Sequence, residues 1–393
     1  MERESEYLLG LLGAYLREEK PDSADDMDWG KLLDLAKLHS VHGILGYMCT
    51  HHRLCADPQM NMAMRRLCLN TIASFNSRVS MADAFFEMLE NHGIDHICMK
   101  GYVLRNYHPV PELRTFRDID FVIRPEDRKK CHELLLSQGY QVKEDWEPVY
   151  SYYKGPEFYE IHTELLEIDV SDKADYRGYF RRMWDHVRKI SAHGYVFTPE
   201  FHFLYMLTHI AKHIHGAGAG VRMYLDVAAF IRHFGDSLDW NWIMGELKQL
   251  KLYDFACTVL SATEKWFGVP CPASFRRISD KVLAEFTEYT LEAGVFGHHN
   301  RENAVVSLKN AEHESRASRI RFLLRRLFPP VKTIARRYTY LQKCPWLLPV
   351  AWIHRFIITR GSLAAHSHEA EIILSAESEE IRRLQRITKN IGL

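Results

Sequence analysis

Apolar residues recur at helical spacing along most of this 393-residue chain, and a single segment, residues 93–195, departs from that pattern. Residues 1–92 and 196–393 place apolar side chains three and four positions apart, which is typical of amphipathic helices. The middle segment instead contains short runs of β-branched and aromatic residues that are typical of strands. The sequence therefore predicts an α+β protein of three domains with these boundaries. A small mixed sheet is expected between mostly helical N-terminal and C-terminal regions.

Turn and capping residues divide the middle segment into elements. A helix is predicted between residues 125 and 139, because Pro125 and two acids begin it and Gly139 follows it. A long helix over residues 60–91 is expected to lead into this segment and to end at Gly93. The predicted strands cover residues 94–99, 118–123, 141–143, 149–154 and 158–162.

Charge is balanced overall, with 51 basic and 51 acidic residues, so the net charge predicts no polyanionic partner. The stretch 316–360 is an exception, because it contains eleven basic residues and no acidic one. Such a stretch has a positive local potential. It fits a solvated helix face, and it also fits a contact with a polyanion such as RNA or an anionic lipid head group. Salt dependence of binding would separate these two interpretations.

The sequence shows no targeting or membrane signal. Its start, MERESEYLL, is acidic where a secretory signal is basic. The longest uncharged apolar run near its end, residues 345–353, is too short to span a bilayer. Eight cysteines are scattered without a C-x-x-C pair, which favours reduced and buried thiols. We therefore expect a cytoplasmic protein without a transmembrane segment.

Two aspartates stand at the start of the predicted strand 118–123. Asp118 and Asp120 would share one face of this strand, while Ile119 and Phe121 would lie on the opposite, buried face. Two close carboxylates repel each other unless a cation lies between them, and Mg²⁺ is the natural candidate. One or two Mg²⁺ ions bound there could also hold substrate phosphates. By itself the D-x-D pattern is common, and an exposed turn before a strand is the ordinary explanation of it.

Cationic residues precede this aspartate pair. The turn MKGY follows the predicted strand 94–99 and contains Lys100 and Gly101. A glycine turn lets backbone N–H groups approach an anion, and the lysine adds a positive charge for phosphate. Arg114 and Arg117 add two further positive charges just before the aspartates. The combination favours a phosphate site beside a metal site.

The stretch MKGYVLRNYHPVPELRTFRDIDFVIRPED resembles a family of uncharacterised bacterial nucleotidyltransferases, within the superfamily of polymerase-beta type. The shared pattern consists of Lys-Gly, a loop with Pro-x-Pro, an arginine, D-I-D and a strand that ends near Pro-Glu-Asp. Weaker similarity extends to YEIHTEL and AKHIHGAGAGVRMYLDVAAF. The resemblance implies a Mg²⁺-dependent enzyme that uses a nucleoside triphosphate (NTP) and releases pyrophosphate. One departure is Lys100-Gly101, where the wider superfamily has Gly-Ser to hold a phosphate.

The resemblance also implies a third acid on a later strand. Glu160 fits best, because it lies in the motif EIH, and Asp169 is the next candidate. His162 would share a face with Glu160 and would also face the site, or it is a structural histidine bonded to the neighbouring strand. On this interpretation Asp118, Asp120 and Glu160 are the catalytic metal ligands. Lys100, Gly101, Arg114, His162 and Arg222 would contact the nucleotide.

The C-terminal helical region contains weaker signals. His209 and His213 are four residues apart on a helix, which suits either metal ligation or packing beside a nucleotide. The glycines of HGAGAG, at 216, 218 and 220, favour a loop between helices over a phosphate cradle. Arg222 and Asp226 are spaced for an ion pair on the following helix. The family resemblance adds that both residues lie at the cleft between domains.

The sequence thus supports two classes of function. The first is a Mg²⁺-dependent nucleotidyltransferase, whose acceptor is a small molecule, a sugar, a peptide or an RNA end. A transferase of phospho-alcohol groups would use the same metal site. The second is an inactive module of the same fold that binds a nucleotide without turnover, which the missing Gly-Ser serine favours. The retained D-I-D motif and Glu160 favour the enzyme.

Overall fold

The structure is a computed structural model that describes residues 2–22, 27–167, 170–216, 218–294, 323–325, 327–335, 338–358 and 378–393. The N-terminal helices are α1 (Arg3–Arg17), α2 (Trp29–Leu38), α3 (His42–His52) and α4 (Pro58–Asn91). The strands are β1 (His96–Cys98), β2 (Ile119–Ile123), β3 (Gln141–Trp146), β4 (Val149–Lys154), β5 (Glu157–His162), β6 (Val187–Lys189) and β7 (Gly194–Phe197). The helices between them are α5 (Gly101–Leu104), α6 (Arg128–Ser137) and α7 (Tyr176–Phe180).

Helices continue after β7. They are α8 (Pro199–Gly216), α9 (Val221–Phe234), α10 (Trp240–Gln249), α11 (Tyr253–Phe267), α12 (Asp280–Ala293), α13 (Val331–Ile334), α14 (Tyr340–Lys343), α15 (Leu348–Ile358) and α16 (Ser378–Asn390). The larger hydrophobic core contains Leu12 of α1, Ile97 of β1 and Phe203 of α8. The three segments predicted as domains therefore share one core.

The strands form one mixed sheet in the order β3-β4-β5-β2-β1-β7-β6. Strand β1 pairs antiparallel with β2 and parallel with β7, and β2 pairs parallel with β5. The predicted α+β class, with a mixed sheet between helical regions, is confirmed. The sheet is larger than predicted because β6 and β7 were not expected. These strands are three and four residues long and lie at one end of the sheet, so local alternation gives little sign of them.

Strand β2 divides the apolar residues of the sheet between two cores. Ile119, Phe121 and Ile123 pack into a cluster that also contains residues of α4 and α6. Val122 points the other way, into the larger core that contains α8 and α9. The predicted alternation of β2 is thus confirmed, and the face that carries Asp120 is turned toward the C-terminal helices.

Helix α4 is 34 residues long, or about 50 Å, and it reaches from the larger core to the underside of the sheet. Asp57 caps its start by accepting from the N–H groups of Gln59 and Met60. It ends before Gly93, whose φ of +60° favours glycine. The predicted long helix is therefore confirmed. Its middle turns pass close to the start of β2, which matters for the site described below.

No helix among the described residues is long and apolar enough to cross a membrane. Most basic residues of the stretch 316–360 lie outside the described residues, and so does Asp169. A polyanion contact through that stretch therefore stays a prediction.

Candidate active site

The pairing of two parallel strands brings the acidic residues together. Asp120 of β2 lies directly beside Glu160 of β5, and Val122 lies beside His162. Because residues two apart on a strand share a face, the side chains of Glu160 and His162 flank Asp120. Ligand atoms of Asp120, Glu160 and His162 all lie within 4.8 Å of one another. We refer to these three residues as the acidic cluster.

Asp120 is buried and contacts both a cation and a histidine. Lys100 Nζ donates to Asp120 Oδ1 at 2.6 Å, and His162 Nε2 lies 3.1 Å from the same oxygen. Burial alone would raise the pKa of Asp120, but Lys100 and His162 outweigh burial and hold that pKa below its usual range. Burial lowers the pKa of His162, so the neutral ring donates its Nε2–H to the carboxylate. Asp120 is therefore ionised at neutral pH.

Glu160 has the opposite behaviour. Burial and the negative charge of Asp120 raise the pKa of Glu160 to about 7, and Asp118 adds to this shift. Lys100 opposes the shift but does not cancel it. The acidic cluster therefore contains more negative charge than the neighbouring lysine neutralises.

This donor set fits a divalent cation. Two carboxylates and one imidazole converge, and a cation between the carboxylates would relieve the repulsion that raises the pKa of Glu160. Carboxylate oxygens are the ligands that Mg²⁺ and Mn²⁺ prefer. His162 already forms a hydrogen bond with Asp120 and would orient that carboxylate beside the ion.

Asp118 departs from its predicted position. Strand β2 begins at Ile119, so Asp118 lies in the bend before the strand and is half-buried. It does not belong to the tight acidic cluster, because a residue outside the pleat need not follow the strand alternation. Its side chain lines two cavities at once, one on each side of the start of β2.

The Lys100-Gly101 turn is strained at its lysine. Lys100 has φ of +52° and ψ of −137°, a conformation that favours glycine. Gly101 is required for a different reason, since a Cβ there would meet Phe116 Cβ at 2.7 Å and Arg114 Nη1 at 3.0 Å. The structure thus places the lysine ammonium on Asp120 and explains the glycine by close packing.

Arg114, predicted to contact the nucleotide, is paired with an aspartate in the structure. Its Nε and Nη2 donate to Asp226 of α9 at 2.8 and 2.6 Å, and His108 Nε2 lies 2.9 Å from the same carboxylate. Burial would raise the pKa of Asp226, but Arg114 and His108 outweigh it and hold that pKa below its usual range. We call Arg114, His108 and Asp226 the arginine clamp. It ties the connection between α5 and β2 to α9.

Arg222 does not form the predicted ion pair with Asp226, because the arginine clamp occupies both carboxylate oxygens. Arg222 Nη1 instead donates to the carbonyl of Thr115 at 3.2 Å. Burial and the charge of Arg114 lower the pKa of Arg222. Its Nε is buried and has no hydrogen-bond partner among the residues that the structure describes. Like Asp118, Arg222 lines both cavities.

The first cavity has a volume of about 360 Å³ and separates the acidic cluster from α8. We call it the histidine cleft. Its characteristic residues are Glu160, Glu167, Tyr205, His209, Lys212 and His213. Burial lowers the pKa of both His209 and His213, and their Nε2 atoms lie 3.1 Å apart. The two neutral rings therefore share a hydrogen bond, which accounts for their spacing without a metal.

Lys212 in this cleft was not predicted as a site residue. It lies between the two histidines that drew attention in the sequence, and the pattern 205, 209, 212 and 213 marks one helix face. This helical spacing is the sequence signal that could have identified Lys212 as a site residue. The glycines after α8 form the turn into α9, where Gly218 has φ of +106° and donates its N–H to the carbonyl of His213.

The second cavity has a volume of about 440 Å³ and lies between α4 and the segment that precedes β2. We call it the arginine cleft. Its characteristic residues are Asn70, Thr71, Ser74, Arg78, Arg117 and Arg222. Arg78 Nη1 donates to the carbonyl of Arg117 at 2.7 Å, which fixes one side of the cleft. Arg78 was also missed, since its sequence context is that of an ordinary long helix. The two clefts meet at Phe116, Asp118 and Arg222.

Comparison with known proteins identifies a family. The model of a family described as "Uncharacterised nucleotidyltransferase" matches residues 25–268, which is more than half of the chain. No protein with a curated description matches the sequence. A solution structure of the antibiotic-resistance factor ANT(2'')-Ia aligns with a TM-score of 0.33 and 11% identity, over 44% of this chain and 92% of that one. That TM-score is too low to establish a common fold.

Proposed function

The chain belongs to the family of uncharacterised nucleotidyltransferases, as its sequence predicts, and from that premise we propose a specific reaction. The protein transfers a nucleoside monophosphate from an NTP to an acceptor hydroxyl, in the presence of Mg²⁺. One observation carries the proposal: the acidic cluster has excess negative charge and lines the histidine cleft, which meets the arginine cleft at Asp118. Family membership itself supports a transferase.

The arginine cleft suits the triphosphate. Arg78, Arg117 and Arg222 all line it, and among the described residues of its lining Asp118 alone is acidic. Guanidinium groups bind phosphate oxygens through paired charge-assisted hydrogen bonds. The same groups would stabilise the charge that develops on departing pyrophosphate. Hydroxyl groups of Thr71 and Ser74 in the cleft supply further hydrogen bonds to phosphate oxygens.

The histidine cleft suits the acceptor, because Glu160 lines this cleft and does not line the arginine cleft. An acceptor hydroxyl oxygen attacks the α-phosphorus and forms a new P–O bond, while the bond to the bridging α–β oxygen breaks. Pyrophosphate leaves with that electron pair, and the carboxylate of Glu160 accepts the hydroxyl proton.

Asp118, Asp120 and Glu160 would hold the divalent cation, and His162 and Lys100 would orient Asp120. A bound Mg²⁺ supplies positive charge that polarises the phosphoryl oxygens. Lys100 keeps Asp120 ionised and in place when the cation is absent.

The first test concerns binding alone. Calorimetry with an NTP should detect binding only when Mg²⁺ is present, and Asp118→Asn and Asp120→Asn should each remove this dependence. Asp236→Asn, at an exposed position far from the clefts, is the matched control. Equal NTP binding with and without Mg²⁺ would disprove the metal site.

The second test concerns transfer. The four NTPs, each labelled at the α-phosphate, are incubated with the protein, Mg²⁺ and a cell extract. Transfer of label to a separable species identifies both the base and the acceptor. Conversion of the labelled NTP to a labelled nucleoside diphosphate, without transfer of label to a second species, would contradict nucleotidyl transfer. A product that carries a phospho-alcohol group instead would indicate the related transferase chemistry at the same site.

One observation favours a second candidate. Lys100 Nζ already donates to Asp120 Oδ1, so its ammonium group takes a position on this oxygen that a metal ion would otherwise take. In that case the NTP would bind independently of Mg²⁺ and no label would move in any of the four reactions. The cytoplasmic location stays a prediction.

A further inference from the structure

We propose that the acceptor is a small hydroxyl compound with an anionic group, and that it binds in the histidine cleft with this group on Lys212. The inference rests on the proposed function, because it assigns the second substrate of the same site. It excludes an RNA end and a folded protein as acceptors.

Lys212 is the cation to which we assign the anionic group of the acceptor. It lies on α8, lines the histidine cleft and is half-buried. No hydrogen bond or ion pair to its ammonium occurs within the described part of the chain. Burial lowers its pKa, and the charge of Glu167 opposes this shift most among the described acids without forming an ion pair with Lys212. A partly desolvated ammonium that lacks a counter-ion is stabilised when a ligand brings a negative charge.

The remaining polar groups of the cleft suit a hydroxylated ligand. Tyr205 contributes a phenol that is protonated at neutral pH, because burial raises its pKa to about 12. His209 and His213 are neutral and can donate or accept hydrogen bonds. Glu167 accepts hydrogen bonds from hydroxyl groups. Together these residues can form hydrogen bonds with a polar ligand, and none of them requires a second charged group on that ligand.

The size and walls of the cleft limit the acceptor. A volume of about 360 Å³ lies at the lower end of the range for small-molecule pockets, ~300–1,000 Å³. Apolar side chains of Leu165, Met206 and Ile210 close the cavity on the side of α8 and the segment after β5. A nucleic-acid polymer would need an open groove with several cations along it. Lys100, which also lines this cleft, is paired with Asp120 and does not serve as such a cation. The cavity therefore suits one small molecule.

The cleft also sets the direction of attack. With its anionic group on Lys212, the acceptor spans the cavity toward Glu160, which takes the hydroxyl proton in the balanced step given above. The nucleotide phosphates lie on the other side of Asp118, in the arginine cleft. Attack then proceeds across the junction of the two clefts, with pyrophosphate leaving on the far side from the acceptor.

Variants of Lys212 test the assignment on the full chain. The assay measures label transfer from the NTP to a protein-free, small-molecule fraction of a cell extract. Lys212→Gln should raise the amount of extract that gives half-maximal transfer by at least about 10-fold, since a charge-assisted hydrogen bond is lost. NTP binding measured by calorimetry with Mg²⁺ should stay within about 2-fold of the wild type, because Lys212 does not line the arginine cleft.

Two further variants control this result. Lys212→Arg keeps the charge and should retain most of the transfer at low amounts of extract. Lys281→Gln, at an exposed position of α12, should behave as the wild type. Equal losses in Lys212→Gln and Lys212→Arg, with NTP binding also weakened, would indicate a packing role and overturn the inference.

Fractionation of the extract tests the acceptor class directly. The acceptor should bind to an anion exchanger and survive treatment with protease and ribonuclease. Loss of acceptor activity after phosphatase treatment indicates a phosphate ester, and loss after carbodiimide amidation indicates a carboxylate. Either loss supports the inference, because both groups pair with an ammonium.

The failures of the two proposals are distinguishable. Acceptor activity that passes through the anion exchanger, or that protease or ribonuclease destroys, would overturn the acceptor class while the nucleotidyl transfer itself stands. Wild-type protein that neither binds an NTP with Mg²⁺ nor transfers label would overturn the proposed function, and the acceptor assignment with it.

Discussion

Two buried aspartates in this protein have similar neighbours and different electrostatics. Asp120 contacts Lys100 and His162, and Asp226 contacts Arg114 and His108, and each aspartate is 4% exposed. In the arginine clamp one guanidinium binds both oxygens of Asp226, so one positive charge balances one negative charge. In the acidic cluster Glu160 adds negative charge that Lys100 does not balance, and Asp118 adds more from just outside the cluster.

This difference separates a structural ion pair from a candidate functional one. A saturated buried pair holds two elements in register, and here the arginine clamp holds the approach to β2 against α9. A cluster with excess charge beside a cavity lowers stability unless a ligand neutralises it, and such clusters are common at functional sites. The five predictions below test this contrast, beginning with the largest expected effect.

Asp226→Ala should destabilise the protein by about 3–5 kcal/mol, because it leaves the Arg114 guanidinium buried without a counter-ion. The measurement is the free energy of unfolding in denaturant. Asp236→Ala, at an exposed position just after α9, should change the free energy of unfolding by less than about 0.5 kcal/mol. A loss below about 1 kcal/mol for Asp226→Ala would show that the clamp is not structural.

The same pair has a defined pH dependence. The pKa of Asp226 is lower in the folded protein than in the unfolded chain, so its stabilisation is present above the unfolded value of about 3.9. It is lost as the pH falls below that value toward the folded pKa. Asp226→Asn should therefore show a weaker loss of stability between about pH 5 and pH 2 than the wild type does.

Asp120→Asn should reduce transfer activity by at least about 100-fold, since it removes a carboxylate from the reacting centre. The free energy of unfolding in chelator should change by less than about 1 kcal/mol. Asn still accepts a hydrogen bond from Lys100, and loss of the Asp120 charge removes the repulsion that disfavours ionised Glu160. Asp120→Asn should thus lose activity and keep its stability, whereas the main effect of Asp226→Ala should be a loss of stability. An Asp120→Asn protein that unfolds as readily as Asp226→Ala would remove the distinction between the two aspartates.

Glu160→Gln should stabilise the metal-free protein by about 1–2 kcal/mol at pH 8, less than the full pKa shift implies because the side chain is 27% exposed. The folded pKa of Glu160, about 7, lies above its unfolded value of about 4.3, so the ionised form is disfavoured in the folded state. Wild-type stability thus falls as the pH rises from about 4.3 to 7, and the variant lacks this fall.

Unfolding curves at pH 4 and pH 8 in chelator measure the Glu160 effect, with no gain expected at pH 4. Added Mg²⁺ should raise the wild-type stability at pH 8 and reduce the advantage of the variant. Destabilisation of Glu160→Gln at pH 8 would mean that the acidic cluster has no excess charge.

Much of the fold could be predicted from the sequence because its signals are local. The alternation around Phe121 and the cap and stop of α4 are encoded within a few residues. Strands β6 and β7 were missed because their sequences are too short for a periodic signal. The parallel pairing of β7 with β1 joins residues about 100 positions apart, which a local pattern does not encode.

The candidate site shows the same division. D-I-D predicted Asp118 and Asp120, and the family resemblance of EIH predicted Glu160. Strand alternation then placed His162 on the same face as Glu160. The partners of the arginines could not be predicted in that way. Arg114 reaches Asp226 across 112 positions, and it excludes Arg222 from a pairing that helical spacing favours. Arg78 enters the arginine cleft only because α4 passes beside β2.

The smallest expected effect separates strain from charge at Lys100. Its φ of +52° with ψ of −137° suits glycine, whereas its counterpart in the clamp, Arg114, has φ of −83°. Lys100→Gly and Lys100→Ala both remove the ammonium, so their difference in stability reports the backbone alone. Lys100→Gly should be the more stable by about 1 kcal/mol, and Arg114→Gly should be no more stable than Arg114→Ala. Equal unfolding free energies for the two Lys100 variants would mean that the backbone there is relaxed. In that case excess charge alone, without stored strain, distinguishes the acidic cluster from the clamp.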